Sequence, residues 1–221
     1  MKLLIATSNA GKAREIETAF IGLPIEVAKL GDLKLSGIEE TGLTFAENAR
    51  QKALHYARQS GLVTLADDSG LEVDLLDGRP GVFSNRYGRD DNERIARLLA
   101  ELRTSGQWPV VSGQTSRRSA VASAAPTYAP CLLTFLSSAR FVCAVCVAGD
   151  QVLFTTERRC EGAILDHPVP GGGFGYDPVF YSIEAGAALS SLSVEEKNAV
   201  SHRGKALAEV RRWIGGLWTK D

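Results

Sequence analysis

Apolar residues fall along this chain in short runs and in helical faces that alternate with one another. Leu3-Leu4-Ile5-Ala6 reads as a buried strand, followed by a helical stretch at 13–20 and a second strand at 25–29. Thr44-x-x-Glu47 is a capping box. It opens a helix to Ser60, with Phe45, Ala49, Ala53 and Tyr56 near helical spacing and Gly61 as the stop. Short strands are predicted at 63–66 and 71–76, on either side of a turn at Asp68-Ser69-Gly70. Asp90-x-x-Glu93 caps a helix that sets Ile95, Leu98, Leu99 and Leu102 on one face. Strands at 140–148 and 152–156 form a hairpin through Ala148-Gly149-Asp150. Ser193-x-x-Glu196 caps a short helix, and a last helix at 203–215 buries Leu207, Val210, Trp213 and Ile214.

Strands and helices interspersed in this way, with one hairpin among crossovers, predict an α/β fold: a mixed twisted sheet with helices on its faces. A length of 221 residues with 44% hydrophobic content suits one domain. A net charge of −1 gives no field that would draw nucleic acid or an acidic membrane. No apolar run approaches the length of a membrane span, and no leader pattern precedes the first strand, so a cytoplasmic protein is expected. Cys143-x-x-Cys146 lies within a predicted strand, where residues three apart face opposite sides, and no second pair completes a metal site. Cys131, Cys143, Cys146 and Cys160 are read as reduced thiols. The stretch 111–138 stands apart: half of it is Ser, Ala and Thr, and no acidic residue occurs between Glu101 and Asp150.

Chemistry concentrates in five places. Thr7-Ser8-Asn9-Ala10-Gly11-Lys12 joins the first strand to a helix, an arrangement suited to holding phosphate through backbone N–H groups, hydroxyls and a lysine charge; the competing reading is an ordinary strand-to-helix turn with a Gly for geometry. It is neither a Walker A loop nor a dinucleotide fingerprint. Glu39-Glu40 in a loop and Asp67-Asp68-Ser69-Gly70 at a strand end suit a hard divalent cation; the competing readings are a solvated loop and an Asx turn. Gly171-Gly172-Gly173-Phe174-Gly175-Tyr176-Asp177-Pro178 sets two aromatics in a glycine-rich backbone, with Phe174 able to stack on a planar base. Lys197 and Ser201-His202-Arg203 near a helix start suit phosphate or the oxygens of a base; a lone His in that position is more often a cap or surface residue than a catalyst.

Together these stretches resemble the inosine/xanthosine triphosphate pyrophosphatase family. The matching segments, in family order, are Thr7 to Lys12, Glu39 to Phe45, Ala66 to Leu71, Gly81 to Ser84, Gly172 to Pro178, and Glu196-Lys197 with Ser201-His202-Arg203. The resemblance implies an elongated two-lobed protein around a nucleotide cleft, a homodimer, and Mg²⁺-dependent hydrolysis of ITP, dITP and XTP to the monophosphate and pyrophosphate. It implies that Thr7, Ser8, Asn9, Ala10, Gly11 and Lys12 hold the triphosphate, and that Glu40 and Asp68 hold the metal. Asp68 would also take the proton of the attacking water. Ser69, Phe174, Gly175, Tyr176, Asp177, Lys197, His202 and Arg203 would line the nucleotide site. Segment 111–138 is longer than the family's connection there by about two dozen residues, judged from ordinary loop lengths. A phosphotransferase and an inactive nucleotide-binding module are the alternatives; the absent Walker A pattern opposes the first and the retained acids oppose the second.

Overall fold

The computed structural model describes residues 1–105 and 133–217. A seven-stranded sheet runs in the order β2-β1-β3-β4-β5-β6-β7, with β1 Lys2–Ile5, β2 Glu26–Lys29, β3 Val63–Val73, β4 Phe135–Ala148, β5 Val152–Leu165, β6 Phe180–Ser182 and β7 Ala187–Ala188. β1 lies parallel to β2 and β3, and every later pairing is antiparallel. The helices are α1 Ala10–Ala19, α2 Phe45–Ser60, α3 Asp91–Thr104, α4 Val194–Val200 and α5 His202–Gly216.

Strand alternation sorts the core into faces. Leu3, Ile5, Leu65, Cys143 and Val145 meet Ile16 and Phe20 of α1 and Leu207, Val210 and Ile214 of α5. Leu4, Ala6, Ala66, Ala144 and Cys146 point the other way, onto Phe45, Ala49, Ala53 and Tyr56 of α2. Cys143 and Cys146 therefore face opposite sides, as the strand period requires. A further core joins the far halves of β3, β4 and β5 to Ile95, Leu98, Leu99 and Leu102 of α3. Each such side chain withdrawn from water is worth about 1.5–3 kcal/mol. The capping boxes at Thr44 and Ser193 and the cap at Asp90 form as expected, and Gly61 ends α2 with φ 68°.

Several boundaries differ from the sequence pattern. Asp68-Ser69-Gly70 does not turn: β3 is one strand of 11 residues, because β4 pairs with it without a break from Thr64↔Ala148 to Val73↔Ala139. β4 begins at Phe135, so 135–138 are strand; residues 111–132 of the Ser/Ala/Thr-rich stretch, and Cys131, lie outside the described residues. β5 continues to Leu165, and the short strands β6 and β7 carry no periodicity that a sequence pattern would register. α1 starts at Ala10 rather than at 13, and Trp213 is only half-buried.

Candidate active site

The unbroken β3 decides how its two acids are used. Successive residues of a strand point to opposite faces. Asp67 looks toward α1 and α5, where Lys12 Nζ lies at 2.9 Å and Arg203 Nε at 3.3 Å. Asp68 looks toward α2, where Asn48 Nδ2 donates at 2.9 Å and Lys52 Nζ lies at 3.8 Å. Ser69 returns to the first face and accepts from Arg203 at 2.7 Å. Both acids are buried in the middle of the strand rather than at its end, and these partners offset the cost of burying them.

Their protonation diverges accordingly. Burial pushes the Asp67 carboxyl up, but Lys12, Arg203 and Lys52 together hold it well below the carboxylate range. Burial raises Asp68, and Lys52 and Lys12 only partly oppose it. Asp67 is a fixed anion, whereas Asp68 has the raised affinity for a proton that suits a base.

Two clefts open beside this strand and meet at Asn9, Lys12 and Asn85. The first is lined by Ser69, Phe174, Gly175, Tyr176, Asp177, Lys197, His202 and Arg203. The second is lined by Thr7, Ser8, Glu40 and Lys52. The expected phosphate and nucleotide residues are thus brought together, with two exceptions: Ala10 borders neither cleft, and Gly11 lines a groove on the far side of Phe174. The N-terminus of α1 is also less open than expected. Asn9 caps it, its side-chain oxygen accepting from the N–H groups of Gly11 at 2.9 Å and Lys12 at 3.1 Å. Gly11 serves instead as a seat for the Phe174 ring: a Cβ there would lie 2.9 Å from the ring carbons.

In the first cleft, Asp177 accepts from Phe174 N at 2.9 Å and from Lys197 Nζ at 2.6 Å. Lys197 also pairs with Glu15 at 3.0 Å, and Glu15 binds Arg203. Lys197 Nζ stands 4.7 Å from the Phe174 ring centroid. His202, which the resemblance sets in the nucleotide site, lines this cleft; it is buried and stacked on Phe141 at 4.7 Å, while Ser201 does the capping. Burial and the charges of Arg203, Lys197 and Lys12 hold His202 well below its ordinary 6.5, so it is neutral, and its Nδ1 is buried without a partner among the described residues. The cleft wall therefore combines fixed cations with a neutral imidazole.

In the second cleft, Glu40 is half-buried and pairs with Lys52 at 2.9 Å, whereas Glu39 is exposed. Glu40 and Asp68 share Lys52, which joins the two acids that the resemblance assigns to a metal. No group of three or more His, Cys, Asp or Glu residues forms a ready cation cage among the described residues. Hard-oxygen donors in twos fit Mg²⁺, which uses one or two carboxylates and takes its remaining ligands from phosphate and water.

Asn48, Lys52 and Glu15 were missed in the sequence reading. The signal for the first two was available: they are polar residues four apart within the apolar stripe of α2, a placement that needs buried partners. Asp91 was missed as well; from the first turn of α3 its Oδ2 accepts from Gly175 N at 2.7 Å and fixes the glycine-rich loop.

The sequence profile of the Ham1 family matches residues 3–132 and 113–213. A dITP/XTP pyrophosphatase from Gloeobacter violaceus is 42% identical over 216 residues, covering 97% of this chain and 93% of that protein. One from Nostoc is 41% identical over 208 residues, covering 93% and 90%. A HAM1 protein from Coxiella burnetii superposes with a TM-score of 0.78 at 33% identity, covering 98% of this chain and 99% of that one.

Proposed function

This chain belongs to the Ham1 family, and from that membership and the paired clefts we propose that it hydrolyses ITP, dITP and XTP to the nucleoside monophosphate and pyrophosphate. One observation carries the reading: a cleft with an aromatic ring, two buried cations and a neutral histidine is continuous, through Lys12, with a cleft of hydroxyls, lysine and carboxylate. The first suits a purine with a 6-oxo group and the second a triphosphate.

Thr7, Ser8, Lys12 and Lys52 take the triphosphate, supplying hydroxyl donors and positive charge. Glu40 and Asp68 hold Mg²⁺, which when bound neutralises phosphate charge and acidifies water. Asp68 orients the attacking water and accepts its proton, a role supported by its burial and its raised carboxyl. Asp67 keeps Lys12 and Arg203 charged and in place. Lys197, His202 and Arg203 meet the base. Donors aimed at a 6-oxo oxygen are left facing a 6-amino group when adenine enters, and that mismatch discriminates strongly.

The whole chain acts as one domain, with Cys143, Cys146 and Cys160 as buried free thiols, consistent with a cytoplasmic setting. Among the described residues no helix is long and apolar enough to cross a membrane. The protein works as a homodimer, supported by Leu43 and Phe83, exposed by 87% and 60% around one surface cavity.

Incubation with ITP, XTP, GTP and ATP plus Mg²⁺, with the products resolved, tests the assignment. Pyrophosphate and monophosphate from ITP and XTP are expected, with little turnover of ATP. Orthophosphate as the product, or equal rates on ATP and ITP, would overturn it.

A further inference from the structure

Arg94 lines the first cleft and not the second, so its charge lies away from the place assigned to the phosphates. It stands in the first turn of α3, whereas Lys197, His202 and Arg203 reach the same cleft from α4 and α5. The cleft assigned to the base therefore carries positive charge from two separate parts of the fold.

The Arg94 side chain is 19% exposed and is held by one edge. Its Nη1 donates to Asp91 Oδ1 at 2.6 Å and its Nε to Gly88 O at 3.3 Å, while Nη2 has no protein partner among the described residues. The other oxygen of Asp91 accepts from Gly175 N at 2.7 Å, so one carboxylate fixes both the guanidinium and the loop that carries Phe174. Other polar side chains of the cleft are spent within the protein. Tyr176 Oη donates to Ser84 O at 3.0 Å, and Ser84 Oγ donates to Gly81 O at 2.6 Å and accepts from Leu71 N at 2.9 Å. Arg94 is thus a charged donor fixed at one end and turned to the cleft at the other.

Hypoxanthine, xanthine and guanine all carry a 6-oxo group and differ at position 2, where they have a C–H, an oxygen and an amino group. O6 and the 2-substituent flank N1 on one edge of the ring, so each needs its own partner. Two sources of positive charge in one cleft match the two exocyclic oxygens of xanthine. From this, and resting on the activity proposed above, we infer that Arg94 reads position 2 of the base while Lys197, His202 and Arg203 meet O6. A guanidinium has five donors and no acceptor. It bonds the 2-oxo group of xanthine, leaves the C–H of hypoxanthine unopposed, and sets donor against donor in guanine. The sugar takes no part, so ITP and dITP are equivalent to this contact.

The contact belongs to binding rather than to the reacting atoms, so it is read in KM. Steady-state kinetics of Arg94→Met on XTP, ITP and GTP test it. On XTP, KM rises about tenfold with kcat nearly unchanged, the worth of a hydrogen bond from a charged group. KM for ITP moves far less, and GTP is turned over better than by the wild type. Arg94→Lys, which keeps the charge without the fork, falls between wild type and Arg94→Met on XTP. An equal loss on XTP and ITP would mark a structural role through Asp91 and the loop, and would overturn the inference, as would an unchanged KM for XTP. Calorimetric titration with xanthosine and inosine monophosphates reads the contact without turnover. A wild-type protein inert on all three triphosphates, yet binding xanthosine monophosphate more tightly through Arg94, would overturn the activity reading and sustain this one.

Discussion

Adjacent carboxylates usually invite a single explanation, but Asp67 and Asp68 point to opposite faces of β3 and are held by different partners. Asp68→Asn keeps the hydrogen bond to Asn48 within reach and removes the proposed base. Turnover of ITP should fall at least about a hundredfold, with nucleotide binding largely kept, as rate and titration measurements would resolve. Unchanged turnover would refute Asp68 as the base. The pH profile adds a second check. A base must be unprotonated, so activity falls as pH drops through its pKa. Burial has raised that of Asp68 above 3.8, and the acid limb of kcat/KM should sit correspondingly high. Lys52 opposes the rise, so Lys52→Met should move the limb further up, and a limb moved down would contradict the geometry. The acids themselves were legible in the sequence because two charges after an apolar run need partners. Their division of labour was not, since it follows from strand alternation and appears only once the supposed turn proves to be strand. The burial of His202 was not legible for a related reason: nothing local to Ser201-His202-Arg203 announces that Phe141, on a distant strand, covers the ring.

At the scale of elements, helix ends were the most legible features, because caps are local chemistry: Thr44 with Glu47, Asp90 with Glu93, and Ser193 with Glu196 all form as the spacing predicts. Strands depend on partners far away in the chain. β3 and β5 run through residues that would be turns or solvated segments in isolation, held by the ladders to β4. Gly70 shows the cost of reading such a residue as a turn signal: it serves close approach, seating the turn Gly81–Arg86 against β3. Gly70→Ala should therefore cost about 1–3 kcal/mol in denaturant unfolding, the range for overpacking. Displacing the turn also moves Ser84, which lines the first cleft, and Arg86, which faces Glu40 at the second, so KM for ITP should rise in the same variant. A stable variant with unaltered kinetics would show that the turn has room to yield.

The whole molecule places its site where three packed cores meet, two on opposite faces of the β1–β3 half and one under α3. No element contributes the site alone: Lys12 comes from α1, Lys52 from α2, Asp68 from β3, Asp177 from the loop before β6, and Arg203 from α5. This explains why scattered motifs had to be read together before any was informative. It also ties the proposed homodimer to the proposed site. Phe83 lies in the same short turn as Ser84 and Asn85, and its exposed ring shares a cavity with Leu43, Pro80 and Val82. In a homodimer that covers this cavity, the partner surface would brace the turn from outside as Gly70 braces it from within. Phe83→Glu, placing a charge in the proposed interface, should halve the mass measured by light scattering. If the partner braces the turn, the resulting monomer should also bind ITP more weakly, with kcat least affected because Asp68 and Lys52 lie on other elements. A wild-type protein that is already monomeric at micromolar concentration would refute the dimer. A monomeric Phe83→Glu variant with unaltered KM would separate assembly from the site.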